Sequence, residues 1–175
     1  DSKIRSTATY DAAAALVTLK EWDRAIPVLE SFRRDFPQDK LQPEVTRSLA
    51  VAYSETGRAG QAASEFERIA ASPAEDPAVR REATLQAADL YEKAGSAAQS
   101  VAMLEKFVAD YPAPVPEAIE VRQRLAESAA KRGDAVKEQF WQREIIRSDA
   151  AAGTGRTDRT RFLAAHAQLA LAAPT

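Results

Sequence analysis

The chain has 175 residues, with 24 basic and 26 acidic side chains, a net charge of −2 and no cysteine. The charges of the two signs are interspersed, which excludes the one-sided basic stripe of a nucleic-acid binder. The missing thiols exclude disulfides, thiolate metal sites and cysteine nucleophiles. About one residue in five is alanine, the best intrinsic helix former, and only 6 are glycine, so the composition points to an all-α fold.

In chain order, the first expected helix carries Ala13 and Leu16. After Glu21-Trp22-Asp23 comes a second helix with Ala25, Leu29 and Phe32, and with Pro27 near its start, where a missing N–H does least harm. Asp35-Phe36-Pro37 ends the pair. Val45, Leu49 and Ala52 or Tyr53 then give the i, i+4, i+7/i+8 stripe of a half-buried helix, followed by Gly57 in C-cap position and a partner helix with Ala62, Phe66 and Ile69. Asp76-Pro77 is a helix entry, an N-cap acceptor followed by proline in the first turn. It leads to Ala88, Tyr91 and Gly95, then to Val101, Leu104 and Phe107, and to the joint Asp110-Tyr111-Pro112. A fourth pair ends its first helix at Gly133 and carries Phe140, Trp141 and Ile145 in its second. Residues 149–156, with Gly153-Thr-Gly155, read as a flexible linker. A ninth helix over 159–172 has Phe162, Ala165, Leu169 and Ala172 on one face, and is read as the first helix of a fifth unit in preference to a cap. The nearly apolar run 162–173 contains His166 and Gln168 and is too short to span a bilayer.

These elements recur. Leu29-Glu30-x-Phe32-x-x-Asp35-Phe36-Pro37 returns as Leu104-Glu105-x-Phe107-x-x-Asp110-Tyr111-Pro112, with Phe66-Glu67-x-Ile69 between them. Tyr53-x-x-x-Gly57, Tyr91-x-x-x-Gly95 and Gly133 keep the same step of 37 or 38 residues. Two independent markers in one period establish an internal repeat of helix pairs. Neither helix of a pair is apolar enough to stand alone, so stacking neighbours must bury the core.

The repeat resembles the tetratricopeptide repeat, whose pattern has small residues where helices cross, an aromatic in the first helix, glycine at the turn and proline at the end. Ala50, Tyr53, Gly57, Ala62, Phe66 and Ile69 match it, as do Ala88, Tyr91, Gly95, Leu104, Phe107 and Pro112, and Ala13, Leu16, Ala25, Leu29 and Pro37. In the first unit Glu21-Trp22-Asp23 stands in for the glycine turn. The fourth departs from the pattern: Ala129 replaces the aromatic, Glu138 and Gln142 replace second-helix apolar residues, and Phe140, Trp141 and Ile145 are expected to pack in a shifted register. The resemblance implies a right-handed α-solenoid of about four hairpins plus one further C-terminal helix. Its units fall at about 6–40, 41–74, 75–113 and 114–148 within a 1–148 solenoid, followed by the 149–156 linker and a 157–175 extra helix. The long period and the Asp-aromatic-Pro joints are similar to the repeats of bacterial envelope proteins, of the Tol-associated periplasmic coordinator and outer-membrane assembly lipoprotein type. That likeness implies a periplasmic or envelope-associated scaffold, with a cytoplasmic adaptor or a self-associating module as the alternatives. Because the sequence opens on Asp1 and not Met, a processed or excised segment with any signal peptide upstream is expected.

No enzyme constellation emerges, and neither a cofactor nor a metal is expected. His166 is the only histidine, its neighbours Asp158 and Gln168 do not complete a ligand set, and it is read as lying beside Phe162 one turn earlier. No Gly-x-Ser-x-Gly elbow or phosphate loop is present. The paired carboxylates Glu65/Glu67 and Glu75/Asp76 are read as solvated, and Trp22 and Trp141 as packing residues. The family's concave groove, lined by first helices, maps to Tyr10, Ala14, Arg47, Val51, Ser54, Leu85, Asp89, Gln123 and Glu127. With Arg47 the one cation among them, the groove suits a protein or peptide of apolar or mixed charge better than a clamped terminal carboxylate. No nucleic-acid partner and no membrane insertion are expected, while self-association remains open.

Overall fold

The computed structural model describes residues 2–173. Among them are nine α-helices and no strand: α1 (Ser2–Thr18), α2 (Trp22–Asp35), α3 (Gln42–Glu55), α4 (Ala59–Ala71), α5 (Pro77–Lys93), α6 (Ala97–Asp110), α7 (Val115–Lys131), α8 (Ala135–Ala151) and α9 (Asp158–Ala172). The fold is an all-α helical repeat of the solenoid class. Two compact units divide between Ser100 and Val101. In the first, α1, α2, α3, α4 and α5 pack in succession, and Ala25, Leu29, Phe32, Val45, Leu49 and Tyr53 form the main core. In the second, α7 packs on α8 and both meet α9, around Ile119, Ile145 and Leu163.

The first helix of each pair buries one alanine in the same phase: Ala13, Ala50, Ala88, Ala126 and, in α9, Ala164. A methyl group there lets neighbouring backbones approach closely. Helix α9 continues this series at the same step of 38 residues. Its buried side is Thr160, Leu163, Ala164 and Ala167. The stripe Phe162, Ala165, Leu169 and Ala172 picked out by sequence is the exposed one.

The turns inside the first, second, third and fourth pairs share one geometry. Three first helices end in a left-handed residue, Gly57 (φ 73°), Gly95 (φ 77°) and Gly133 (φ 70°). The next amide closes the helix end on a carbonyl five residues back: Arg58 on Tyr53 (2.8 Å), Ser96 on Tyr91 (2.8 Å) and Asp134 on Ala129 (3.0 Å). The first pair makes the same closure, Glu21 on Leu16 (2.9 Å), with Lys20 in the left-handed position at φ 56°. Thus Lys20, not the Glu21-Trp22-Asp23 triplet, takes the glycine's place. Trp22 opens α2 and packs half-buried on the core.

Other local expectations change. Pro27 is the sixth residue of α2, not one of its first turn, and sits on the exposed side. Asp76 occupies the N-cap of α5 with Pro77 behind it, but its side chain makes no capping bond. In α8, Trp141, Gln142 and Ile145 are buried while Phe140 is 46% exposed, so the shifted register takes the tryptophan and excludes the phenylalanine.

The 149–156 segment is pinned, where the sequence suggested a flexible linker. Helix α8 runs on to Ala151, and a 3₁₀ turn, Gly153–Gly155, follows. Buried Asp149 accepts hydrogen bonds from Thr160 Oγ1 (2.7 Å) and Arg156 (2.7 Å). Thr157 and Thr160 close a capping box over the start of α9. Bonding to Arg156, and then to Thr160, holds the Asp149 carboxyl below its ordinary pKa.

Candidate functional site

Polar side chains that the period repeats tie successive pairs together. Glu30 and Glu67, each following the apolar residue of the repeated second-helix motif, accept the phenol hydrogens of Tyr53 and of Tyr91 (2.5 Å) from the next first helix. Where Ala129 replaces the tyrosine, Glu105 pairs with Lys137 instead (3.3 Å). Burial, then the bond to the glutamate, pushes both phenols above their ordinary pKa. The repeated glutamate is therefore structural.

Two carboxylates read as solvated are buried. Glu65 takes both guanidinium nitrogens of Arg33 (2.6 and 2.5 Å), and Arg33 also reaches Thr46 (3.2 Å). The bond to Glu65 raises the Arg33 pKa against the opposing effect of burial. Glu75 is bonded to Arg47, which also holds Glu44. Burial would lower the Arg47 guanidinium, but these two carboxylates outweigh it and keep it raised. The one cation of the sequence-derived groove is thereby committed inside the protein, so it does not stand ready to clamp a ligand carboxylate.

In the first compact unit Arg47 and Val51 line a depression of about 220 Å³ between α3 and α5, together with Phe66, Val79, Glu82 and Gln86. Val51 is 44% and Val79 38% exposed, and both line this one depression. Of the other mapped residues, Tyr10 is half-buried and packs edge-on to Phe32 with ring centroids 6.2 Å apart, so it serves the core. Ala14 is half-buried on α1, and exposed Ser54 bonds back to the Ala50 carbonyl (2.8 Å). Leu85 and Asp89 lie on α5 outside this depression.

The sequence missed Phe66, Val79, Glu82 and Gln86 for a geometric reason. Stepping one period from Arg47 and Val51 lands on Leu85 and Asp89, the same flank of the next helix. A depression between two neighbouring helices is walled by opposite flanks. The available signal was the i, i+3, i+7 run of Val79, Glu82 and Gln86.

In the second compact unit Gln123 donates to Glu127 (2.9 Å), and both line a cleft of about 220 Å³ with Glu138, Gln142 and His166. His166 stacks on Phe162, with ring centroids 6.2 Å apart and planes 13° from parallel, as their helical spacing predicts.

Stacked helix pairs with small residues at the crossings and left-handed turns define a helical-repeat protein. Within it, the family model for the tetratricopeptide repeat matches residues 82–113, from the middle of α5 through α6. That match and the all-helical fold together support the tetratricopeptide repeat family. Such repeats typically bind proteins or peptides and are generally non-catalytic scaffolds. No curated protein matches the chain in sequence. Among the described residues, no helix is long and apolar enough to cross a membrane.

Proposed function

We propose that the chain is a protein-binding scaffold and that the depression between α3 and α5 receives an apolar side chain of a partner peptide. The observation that carries this is that exposed Val51 and Val79 line one depression together with Phe66. Burying a leucine-sized side chain there contributes about 1.5–3 kcal/mol. Glu82 lines the depression, and its one cation, Arg47, is already paired with Glu44 and Glu75, which favours a partner without acidic flanks.

The test is selection of ligands from a random peptide library followed by titration of the best one. Val51→Asp and Val79→Asp should each weaken binding about tenfold or more with helix content unchanged. Selected peptides indifferent to both substitutions would refute the site.

The proposal extends to location: an envelope scaffold that organises a multiprotein complex. Its support is the long period and the Asp-aromatic-Pro joints. An export or lipidation signal in the complete reading frame upstream of Asp1 is the expected finding, and a cytosolic start there would overturn the location while leaving the scaffold standing.

A further inference from the structure

We propose that the pocket formed by α2, α3 and α4 in the first compact unit binds an acidic side chain, glutamate or aspartate, of a partner protein. The pocket holds about 400 Å³. Its walls come from the second helices α2 and α4 and from the start of α3. It is therefore a different surface from the α3–α5 depression, which lies between first helices.

The repeat marks this pocket as an exception. At the place of Arg33 the later second helices carry Ala70, Val108 and Ile146, and at the place of Glu65 the others carry Val28, Met103 and Trp141. Every one of these counterparts is apolar and buried or half-buried. Only here do both places carry charge, as the ion pair of Arg33 with Glu65 (2.6 and 2.5 Å). Apolar side chains of like volume commonly stabilise as well as an enclosed pair, or better, so helix stacking does not require it. What the pair adds is a fixed guanidinium in the pocket wall.

The groups left unspent select an acid. Arg33 is neutralised by Glu65, and buried Glu75 is held by Arg47, which it shares with Glu44. Arg68, exposed in the last turn of α4, has no counter-ion among the described residues. It is the one lining charge without a partner. Arg33 spends Nη1 and Nη2 on Glu65 and Thr46 and keeps its Nε–H. Thr46 and Ser72 accept from Arg33 (3.2 Å) and from the Ala74 amide (3.3 Å), and keep their hydroxyl hydrogens.

Against these donors stand two acceptors, Gln42 Oε1 and the second Glu75 oxygen. Donors outnumber acceptors and the uncompensated charge is positive, so a carboxylate is the group that satisfies the lining. Pro37, Pro43 and Ile69 give its methylene stem an apolar wall. The α3–α5 depression favours a partner without acidic flanks, so the two surfaces select different segments.

The test is a phage library of nonapeptides, random except for a central glutamate, panned on the Val51→Asp chain so that the α3–α5 depression does not compete. The best synthetic peptide should bind Arg68→Glu about tenfold more weakly or worse, with far-UV circular dichroism unchanged. Its own glutamate-to-glutamine variant should lose as much on the unaltered protein. The Arg33→Met/Glu65→Leu double variant should keep a urea midpoint near the native one and still lose about tenfold in affinity, which a merely structural pair would not do. No enrichment, affinity indifferent to Arg68→Glu, or a double variant that binds as well as the native chain would each overturn the proposal. So would free glutarate binding the native chain as tightly as the peptide does, since a small dicarboxylate would then own the pocket.

Discussion

Lys20 holds the left-handed position that glycine holds in the three following pairs, and replacing it with glycine should stabilise the protein. A left-handed conformation costs an L-residue about 1–2 kcal/mol through the crowding of its Cβ and the carbonyl. Glycine returns roughly 0.5–1 kcal/mol of that through the greater freedom of its unfolded chain. Lys20 is solvent-exposed, so the substitution removes no packing. The net gain for Lys20→Gly is about 0.5–1 kcal/mol, seen as a higher urea midpoint at constant slope, or a rise in Tm of roughly 1–4 °C. Lys20→Asn should fall between, because asparagine tolerates this region better than lysine. Gly57→Ala gives the reverse experiment: an added Cβ meets nothing within 4 Å, so its cost of about 1 kcal/mol is purely conformational. An unchanged or lowered midpoint for Lys20→Gly would refute the assignment of Lys20 to the turn.

Glu65→Ala should cost about 2–4 kcal/mol in urea denaturation because it strands the half-buried Arg33 guanidinium, whereas Arg33→Met with Glu65→Leu should recover most of the loss; equal damage from the double variant would argue against charge stranding. Asp149→Ala should cost about 1–3 kcal/mol by leaving buried Thr160 with one partner fewer and freeing the 3₁₀ turn. Since the folded carboxyl titrates below its unfolded value of about 3.9, its contribution is present above that pH and lost as pH falls through the folded value. The native chain should accordingly lose more stability than Asp149→Asn between roughly pH 5 and 3, and parallel pH profiles would show that the carboxylate charge contributes nothing.

The helix pairs, their period and most of the core could be read residue by residue, because a stripe of apolar residues at helical spacing and a glycine at a helix end are local requirements that each segment meets alone. Leu29, Phe32, Val45, Leu49, Leu104 and Phe107 were legible in this way, as were Gly57, Gly95 and Gly133. Helix packing had to be seen to learn which of two comparable stripes on α9 is buried, that Glu65 and Glu75 are held by the distant Arg33 and Arg47, and that Lys20 closes a turn. It also decided that the depression beside Val51 is walled by Val79, Glu82 and Gln86. Those facts depend on which flank of one helix faces which flank of another, and on partners tens of residues away. Helical spacing constrains the residues of one face relative to each other, but it carries no information about what that face meets.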